Sequence, residues 1–146
     1  MLGLPPKRGY LSCENEAVMT PPPNVKRRIL VVDDEPLVCD AVEMMLAFDG
    51  HTVETATSGA EALACLDQAP FDLVITDYAM PQMKGDELAQ RIKQLNPALP
   101  VVMITAHAEV LESTGTPLTG IAMVISKPFM LETLREAIRQ TCPIPA

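Results

Sequence analysis

From Arg28 onward, short runs of consecutive apolar residues alternate with longer stretches in which apolar positions recur every three or four residues. The runs are Ile29-Leu30-Val31-Val32, Leu73-Val74-Ile75, Val101-Val102-Met103-Ile104 and Val124-Ile125. Apolar runs of this length, bounded by turn residues, read as strands buried on both faces. They predict strands at about residues 28–33, 71–77, 100–105 and 121–126, with a shorter one at 52–56. Pro36 suits a first helical turn. Leu37, Val38, Ala41, Val42, Met45 and Leu46 then recur at helical spacing as one apolar face, until Asp49-Gly50 ends the helix. Ser58-Gly59-Ala60-Glu61 is a capping-box signature that opens a helix to about residue 68. Two more helices are predicted at about residues 86–95, closed by Asn96-Pro97, and 131–140, with Leu134, Ala137 and Ile138 inward. Any helix after His107 is expected to be short, because Gly115, Pro117 and Gly120 disfavour it.

Strands that alternate with helices, and that are aliphatic almost throughout, imply a parallel sheet covered on both faces. Five such β/α units predict an α/β fold of the flavodoxin-like (βα)5 kind, a three-layer sandwich with strand order 2-1-3-4-5. The folded domain is expected over residues 27–142. Residues 1–26 read as an N-terminal tail, since they hold five of the 14 prolines, including Pro21-Pro22-Pro23. A Pro-rich tract of that kind tends to be extended and poorly packed. Residues 143–146 form a short C-terminal tail.

Composition narrows the function. The chain has 146 residues, enough for one domain with one core. Aromatics are 3% against 48% apolar residues, so that core must be aliphatic and Met-rich. Met44, Met45, Met103 and Met123 are expected in it. Residues 1–28 carry five Lys/Arg against Glu14 and Glu16, a surplus of +3, which leaves the remainder of the -8 chain at -11. A domain this acidic repels phosphate backbones and excludes direct nucleic-acid binding. Cys13, Cys39, Cys65 and Cys142 lack metal-site spacing and read as reduced thiols of a cytosolic protein. No apolar stretch is long enough to span a membrane, and Pro5, Pro6, Lys7 and Arg8 interrupt any signal peptide. A cytoplasmic location is expected.

Chemistry collects outside the carboxyl ends of strands in an open parallel sheet. There this sequence places Asp33-Asp34, Asp77, Thr105 and Lys127-Pro128. Two adjacent acids need a compensating charge, and Mg²⁺, a hard cation that prefers oxygen ligands, suits them. Asp77 is a lone acid followed by a loop. A carboxylate can attack phosphorus to give an acyl phosphate. Lys127 can neutralise a phosphoryl oxygen and Thr105 can donate a hydrogen bond to another. Ala106 leaves room for a donor. His51 reads as a surface residue and His107 as a solvated loop residue.

These residues carry a family resemblance. Ile29-Leu-Val-Val-Asp-Asp-Glu-Pro36, Asp77-Tyr-Ala-Met-Pro-Gln-Met-Lys-Gly85, Thr105-Ala106 and Lys127-Pro128-Phe129 resemble the receiver domain of two-component response regulators. The match runs from about Arg28 to Gln140 and is similar to receivers attached to hybrid sensor kinases. The resemblance implies that Asp77 is the phosphoacceptor. It implies Mg²⁺ held by Asp33, Asp34 and Asp77 with the backbone carbonyl of Ala79, Asp34 being the direct ligand of the acidic pair. It further implies that Thr105 and Lys127 stabilise the phosphoryl group and that the peptide before Pro128 is cis. The chain is then a phosphorelay switch rather than an enzyme for an outside substrate, able to catalyse its own phosphorylation and dephosphorylation. Its partners are a sensor histidine kinase or histidine phosphotransfer protein and a downstream protein. The chain ends soon after the last predicted helix, so no output domain is expected.

Two positions depart from the family pattern. Val124 stands where an aromatic ring usually reports phosphorylation. Residues 111–118, where a helix belongs, read Leu-Glu-Ser-Thr-Gly-Thr-Pro-Leu. The stretch at about residues 107–120 is therefore expected to carry any conformational response. Two other readings use the same side chains. A phosphohydrolase of the haloacid-dehalogenase type also needs Asp, Mg²⁺, Thr/Ser and Lys, but its nucleophile lies on the first strand in an Asp-x-Asp motif, not on the third. An unphosphorylated interaction module with the same fold has no need of the intact acidic pair, acceptor, Thr and Lys.

Overall fold

The computed structural model describes residues 25–106 and 120–142. The predicted tail up to residue 24, the stretch 107–119 with its expected short helix, and residues 143–146 lie outside them. The strands are β1 (Arg28–Val32), β2 (Thr52–Ala56), β3 (Leu73–Asp77), β4 (Val101–Thr105) and β5 (Met123–Ser126). Between and after them run α1 (Pro36–Phe48), α2 (Gly59–Gln68), α3 (Gly85–Leu95) and α4 (Leu131–Thr141). All four strand pairings are parallel, in the order β2-β1-β3-β4-β5. No helix among the described residues is long and apolar enough to cross a membrane.

The strand period of two divides the core. Ile29, Val31, Leu73, Ile75, Val102 and Ile104 face α1 and α4, where they meet Val42, Leu46, Leu134 and Ile138. Leu30, Val32, Val74 and Val101 face α2 and α3, where they meet Ala62, Leu88 and Ile92. Both faces are thus covered, which is why every residue of β3 and β4 is buried. Ser58 caps α2 by accepting from Glu61 N–H at 3.1 Å, as the sequence predicts, and the Glu61 carboxylate receives Thr57 rather than Ser58 in return.

Three expectations are corrected. Leu37 and Ala41 do not share the buried face of α1, and Met44 is not core. Leu37 is 82% exposed, Met44 73% and Phe48 77%, with Ala41 exposed between them. α1 carries two apolar stripes, and the sheet takes only the one built from Val38, Cys39, Val42, Met45 and Leu46. His51 is buried rather than on the surface. Its Nδ1 accepts the Arg27 N–H at 2.9 Å, which supplies the lead-in to β1 with an acceptor. Burial holds its pKa below the ordinary histidine value.

α1 ends in a helix-terminating turn of the Schellman type. His51 N–H donates to Leu46 O at 3.2 Å, and Gly50 N–H to Ala47 O at 2.9 Å, with Gly50 at φ +89°. The turn buries Asp49 against α4. Arg135 grips that carboxylate with two donors, Nε at 2.8 Å and Nη2 at 2.7 Å. Lys26 Nζ donates to the Asp49 carbonyl at 3.0 Å, which ties the segment just before β1 to the end of α1.

Candidate functional site

Parallel register aligns the carboxyl ends of the five strands. Val32 pairs with Ala56 on one side and Thr76 on the other. Asp77 pairs with Ile104, and Thr105 with Ser126. Asp33 N–H extends the edge by donating to Ala56 O at 3.1 Å, and Lys127 N–H does so by donating to Thr105 O at 2.9 Å. Residues far apart in sequence therefore share one rim. A pocket of about 210 Å³ opens there, lined by Asp34, Glu35, Asp77, Ala79, Thr105, Ala106 and Lys127. Of the strand-end residues named from sequence, Asp34, Asp77, Thr105 and Lys127 line it, and Asp33 lies beside it, 3.4 Å from Lys127 Nζ.

The loop after β3 is shaped by its Met-Pro-x-Met-x-Gly run. Gly85 N–H donates to Tyr78 O at 2.9 Å, which folds the loop back over the end of β3. A Cβ at Gly85 would stand 2.4 Å from the Asp77 carbonyl oxygen, so only glycine fits this return. Met80 is buried in the core on the α2–α3 side, and Met83 packs so closely on Gly59 that a Cβ there would lie 2.5 Å from its Sδ. Gln82, between the two anchors, takes φ +70°. The two methionines and the glycine hold the backbone of the loop that follows Asp77.

Electrostatics concentrate on three carboxylates. One oxygen from each of Asp33, Asp34 and Asp77 lies within 4.8 Å of the others, an all-oxygen set of the kind a hard divalent cation takes. Lys127 Nζ stands 3.2 Å from Asp77 Oδ1 and 3.4 Å from Asp33 Oδ2. The Glu35 N–H donates to Asp33 Oδ1 at 2.9 Å. Burial pushes the Asp33 carboxyl above its ordinary pKa and the Asp77 charge adds to this, while the Glu35 N–H and Lys127 offset only part. Burial raises Asp77 too, against the pull of Lys127 and with reinforcement from Asp34. Burial by itself lowers the Lys127 pKa, but the Asp33 and Asp77 charges outweigh it and the net displacement is upward. One ammonium thus leaves this acidic cluster undercompensated. Both shifts oppose the charged carboxylates, and a bound cation would reverse them.

The Lys127–Pro128 peptide is cis. Beyond it, an apolar groove of about 560 Å³ runs between α1 and the loop after β5, lined by Leu37, Val38, Ala41, Met45, Pro128 and Phe129. Lys127 and Ala106 border both this groove and the acidic pocket. A larger cavity of about 670 Å³ lies at the opposite end of the sheet, between α2 and α3, away from the carboxylate cluster. Sequence reasoning missed the groove, because its residues come from α1 and from a loop about ninety positions later. It also missed the Cys39 thiol, which approaches the Asp33 carbonyl at 3.3 Å.

The family model of the response regulator receiver domain matches residues 29–139. The transcriptional regulatory protein GlrR of Escherichia coli K12 is 34% identical over 110 residues, which are 75% of this chain and 25% of that protein. The sensor histidine kinase RcsC of Salmonella typhimurium is 38% identical over 110 residues, 75% of this chain and 12% of the kinase. The chain thus spans a minor part of the length of either relative. Among solved structures, the response regulator protein TrrA of Thermotoga maritima, crystallised in complex with Mg²⁺-BeF, superposes with a TM-score of 0.71 at 30% identity. That match covers 80% of this chain and 99% of TrrA.

Proposed function

This chain belongs to the response regulator receiver domain family, and from that membership we propose that Asp77 accepts a phosphoryl group from a phosphohistidine donor. The observation that carries the reading is the convergence of three acidic oxygens and Lys127 in one pocket at the strand ends. In the transfer, a carboxylate oxygen of Asp77 attacks phosphorus as the donor's nitrogen–phosphorus bond breaks, and the imidazole leaves with the bonding pair. Lys127 meets the negative charge on the phosphoryl oxygens as a point charge, and the Thr105 hydroxyl donates to another oxygen. The Gly85 return holds the Asp77 backbone still while its side chain reacts.

Asp33, Asp34 and Asp77, with the carbonyl of Ala79, would hold a divalent cation such as Mg²⁺. Such an ion supplies positive charge that lets an anionic donor approach an acidic pocket. The undercompensated carboxylates support this assignment. Loss of an outer hydrogen-bond partner costs about 10–100-fold in metal affinity, so removal of a direct ligand costs at least that. An Asp34→Ala variant is therefore expected to lose Mg²⁺ affinity by that factor or more while keeping its thermal transition. Calorimetric titration with Mg²⁺ measures it, and parental affinity in the variant would count against the site.

The partner is a histidine kinase or histidine phosphotransfer protein that docks on the exposed stripe of α1, from Leu37 to Met44, and on the apolar groove beside it. The exposed stripe of α1 leads to the pocket that holds Asp77, so a donor helix seated on it brings its histidine to the acceptor. A Leu37→Ser/Met44→Ser double variant is expected to slow transfer from such a phosphorylated protein by about 30-fold, the value of one interface hot spot of 2 kcal/mol. Labelling by acetyl phosphate, which needs no docking face, should be unchanged. Equal slowing with both donors would place the effect in the pocket instead of the groove.

A further inference from the structure

Cys39 belongs to neither the acceptor nor the acidic set, yet it touches the backbone that presents them. It sits in the first turns of α1, 2% exposed, with Sγ 3.3 Å from the Asp33 carbonyl oxygen and 3.7 Å from that of Ala56. The same Ala56 carbonyl accepts the Asp33 N–H at 3.1 Å, and the Cys39 N–H donates to Glu35 O at 3.2 Å. The thiol thus closes a small ring that joins the end of β1, the end of β2 and the start of α1.

We infer that Cys39 is a positioning residue for the acidic cluster, its S–H donor fixing the Asp33–Asp34 peptide plane. A peptide unit is planar, so holding its carbonyl oxygen also sets the direction of the Asp34 N–H and the place of the Asp34 Cα. Strand hydrogen bonding ends with the Asp33 N–H and helical hydrogen bonding begins with the carbonyl of Glu35. The 33–34 peptide lies between these two regular ladders, and the Cys39 thiol contacts its carbonyl oxygen. Asp33 Oδ1 is already oriented by the Glu35 N–H, and Oδ2 faces Lys127. The thiol supplies the remaining constraint on this segment, through the carbonyl. Rotation of that peptide would move both carboxylates relative to Asp77.

The rival is plain packing, because Cys39 also lies in the core with Val42 and Leu46. Two substitutions in the full chain separate the roles. Cys39→Val fills the volume without a donor, and Cys39→Ser keeps a donor with less apolar bulk. The proposal rests on the phosphoacceptor reading only in using Mg²⁺ as a probe. Positioning predicts that Cys39→Ser binds Mg²⁺ within about twofold of the parent while Cys39→Val binds about tenfold or more weakly, in the range of lost supporting hydrogen bonds. Thermal stability should run the other way, with Val at least as stable as Ser. The carbonyl ¹³C resonance of Asp33 in metal-free protein is an independent readout, expected to move in the Val variant and stay in the Ser variant. If affinity and stability both favour Val, or the Asp33 carbonyl resonance is the same in all three proteins, Cys39 is packing alone. If the parent binds no Mg²⁺, the metal assignment fails, and the carbonyl resonance still decides the role of Cys39.

Discussion

An Asp77→Asn variant incubated with acetyl phosphate and Mg²⁺ is expected to acquire no acid-stable, base-labile adduct, whereas the parent acquires one at that residue. The amide is nearly isosteric with the carboxylate but is no nucleophile toward phosphorus. The substitution is also expected to leave the fold intact. Burial raises the Asp77 pKa in spite of Lys127 at 3.2 Å, so at neutral pH the charged form costs the metal-free protein stability. A raised carboxyl pKa means that the folded state takes up protons more readily than the unfolded chain, and stability is lost as pH rises through the folded value. Removing that charge should make the metal-free variant at least as stable as the parent at pH 7. Intact-mass and peptide-level mass spectrometry, with and without base treatment, locate the adduct. Labelling that persists in the variant, or that maps to another residue, would sink the assignment.

Asp49→Ala is expected to be the most destabilising single substitution considered. Its side chain is fully buried and that of Arg135 is 4% exposed, and the two share a bidentate pair. Removing one partner of a buried pair costs about 3–5 kcal/mol, and Arg135 keeps the half-exposed Glu132 in place of the bidentate contact. In a domain of this size that lowers Tm by about 12 °C or more. The pH dependence has a definite sign. The hydrogen bonds from Arg135 hold the Asp49 pKa below its ordinary value of 3.8, against burial. The pair's contribution is therefore complete above that ordinary value and is lost as pH falls through the folded one. The stability gap between parent and variant should be largest near pH 7 and narrow in acid. Chemical denaturation at several pH values measures it, and a gap that stays constant down to pH 3 would refute the ionic account. Replacing both partners, as Asp49→Leu/Arg135→Met, should recover much of the loss.

Much of the protein follows from its sequence alone. Residues buried on both faces must be apolar throughout, so Ile29–Val32 and Val101–Ile104 announce central parallel strands without any alignment. Parallel strands in turn force their carboxyl ends to one edge, which is why Asp33, Asp34, Asp77, Thr105 and Lys127 are recognisable as a set. Local chemistry is equally legible, in the Ser58 cap, the Gly50 helix terminus and the Pro36 helix start. What depends on distant partners is not. Leu37 and Val38 are adjacent and equally apolar, yet one is 82% exposed and the other packs against the core, because only the placement of α1 on the sheet selects a stripe. His51 reads as a polar residue after a turn until the lead-in to β1 passes beside it and needs an acceptor. Asp49 and Arg135 are ordinary surface letters until α4 lies across the end of α1 and expels water from both. Sequence determines the period of burial and the order of the strands. Tertiary structure decides which of several chemically equivalent side chains lose their water, and that loss raises the pKa of Asp77 and gives the Asp49–Arg135 pair its weight.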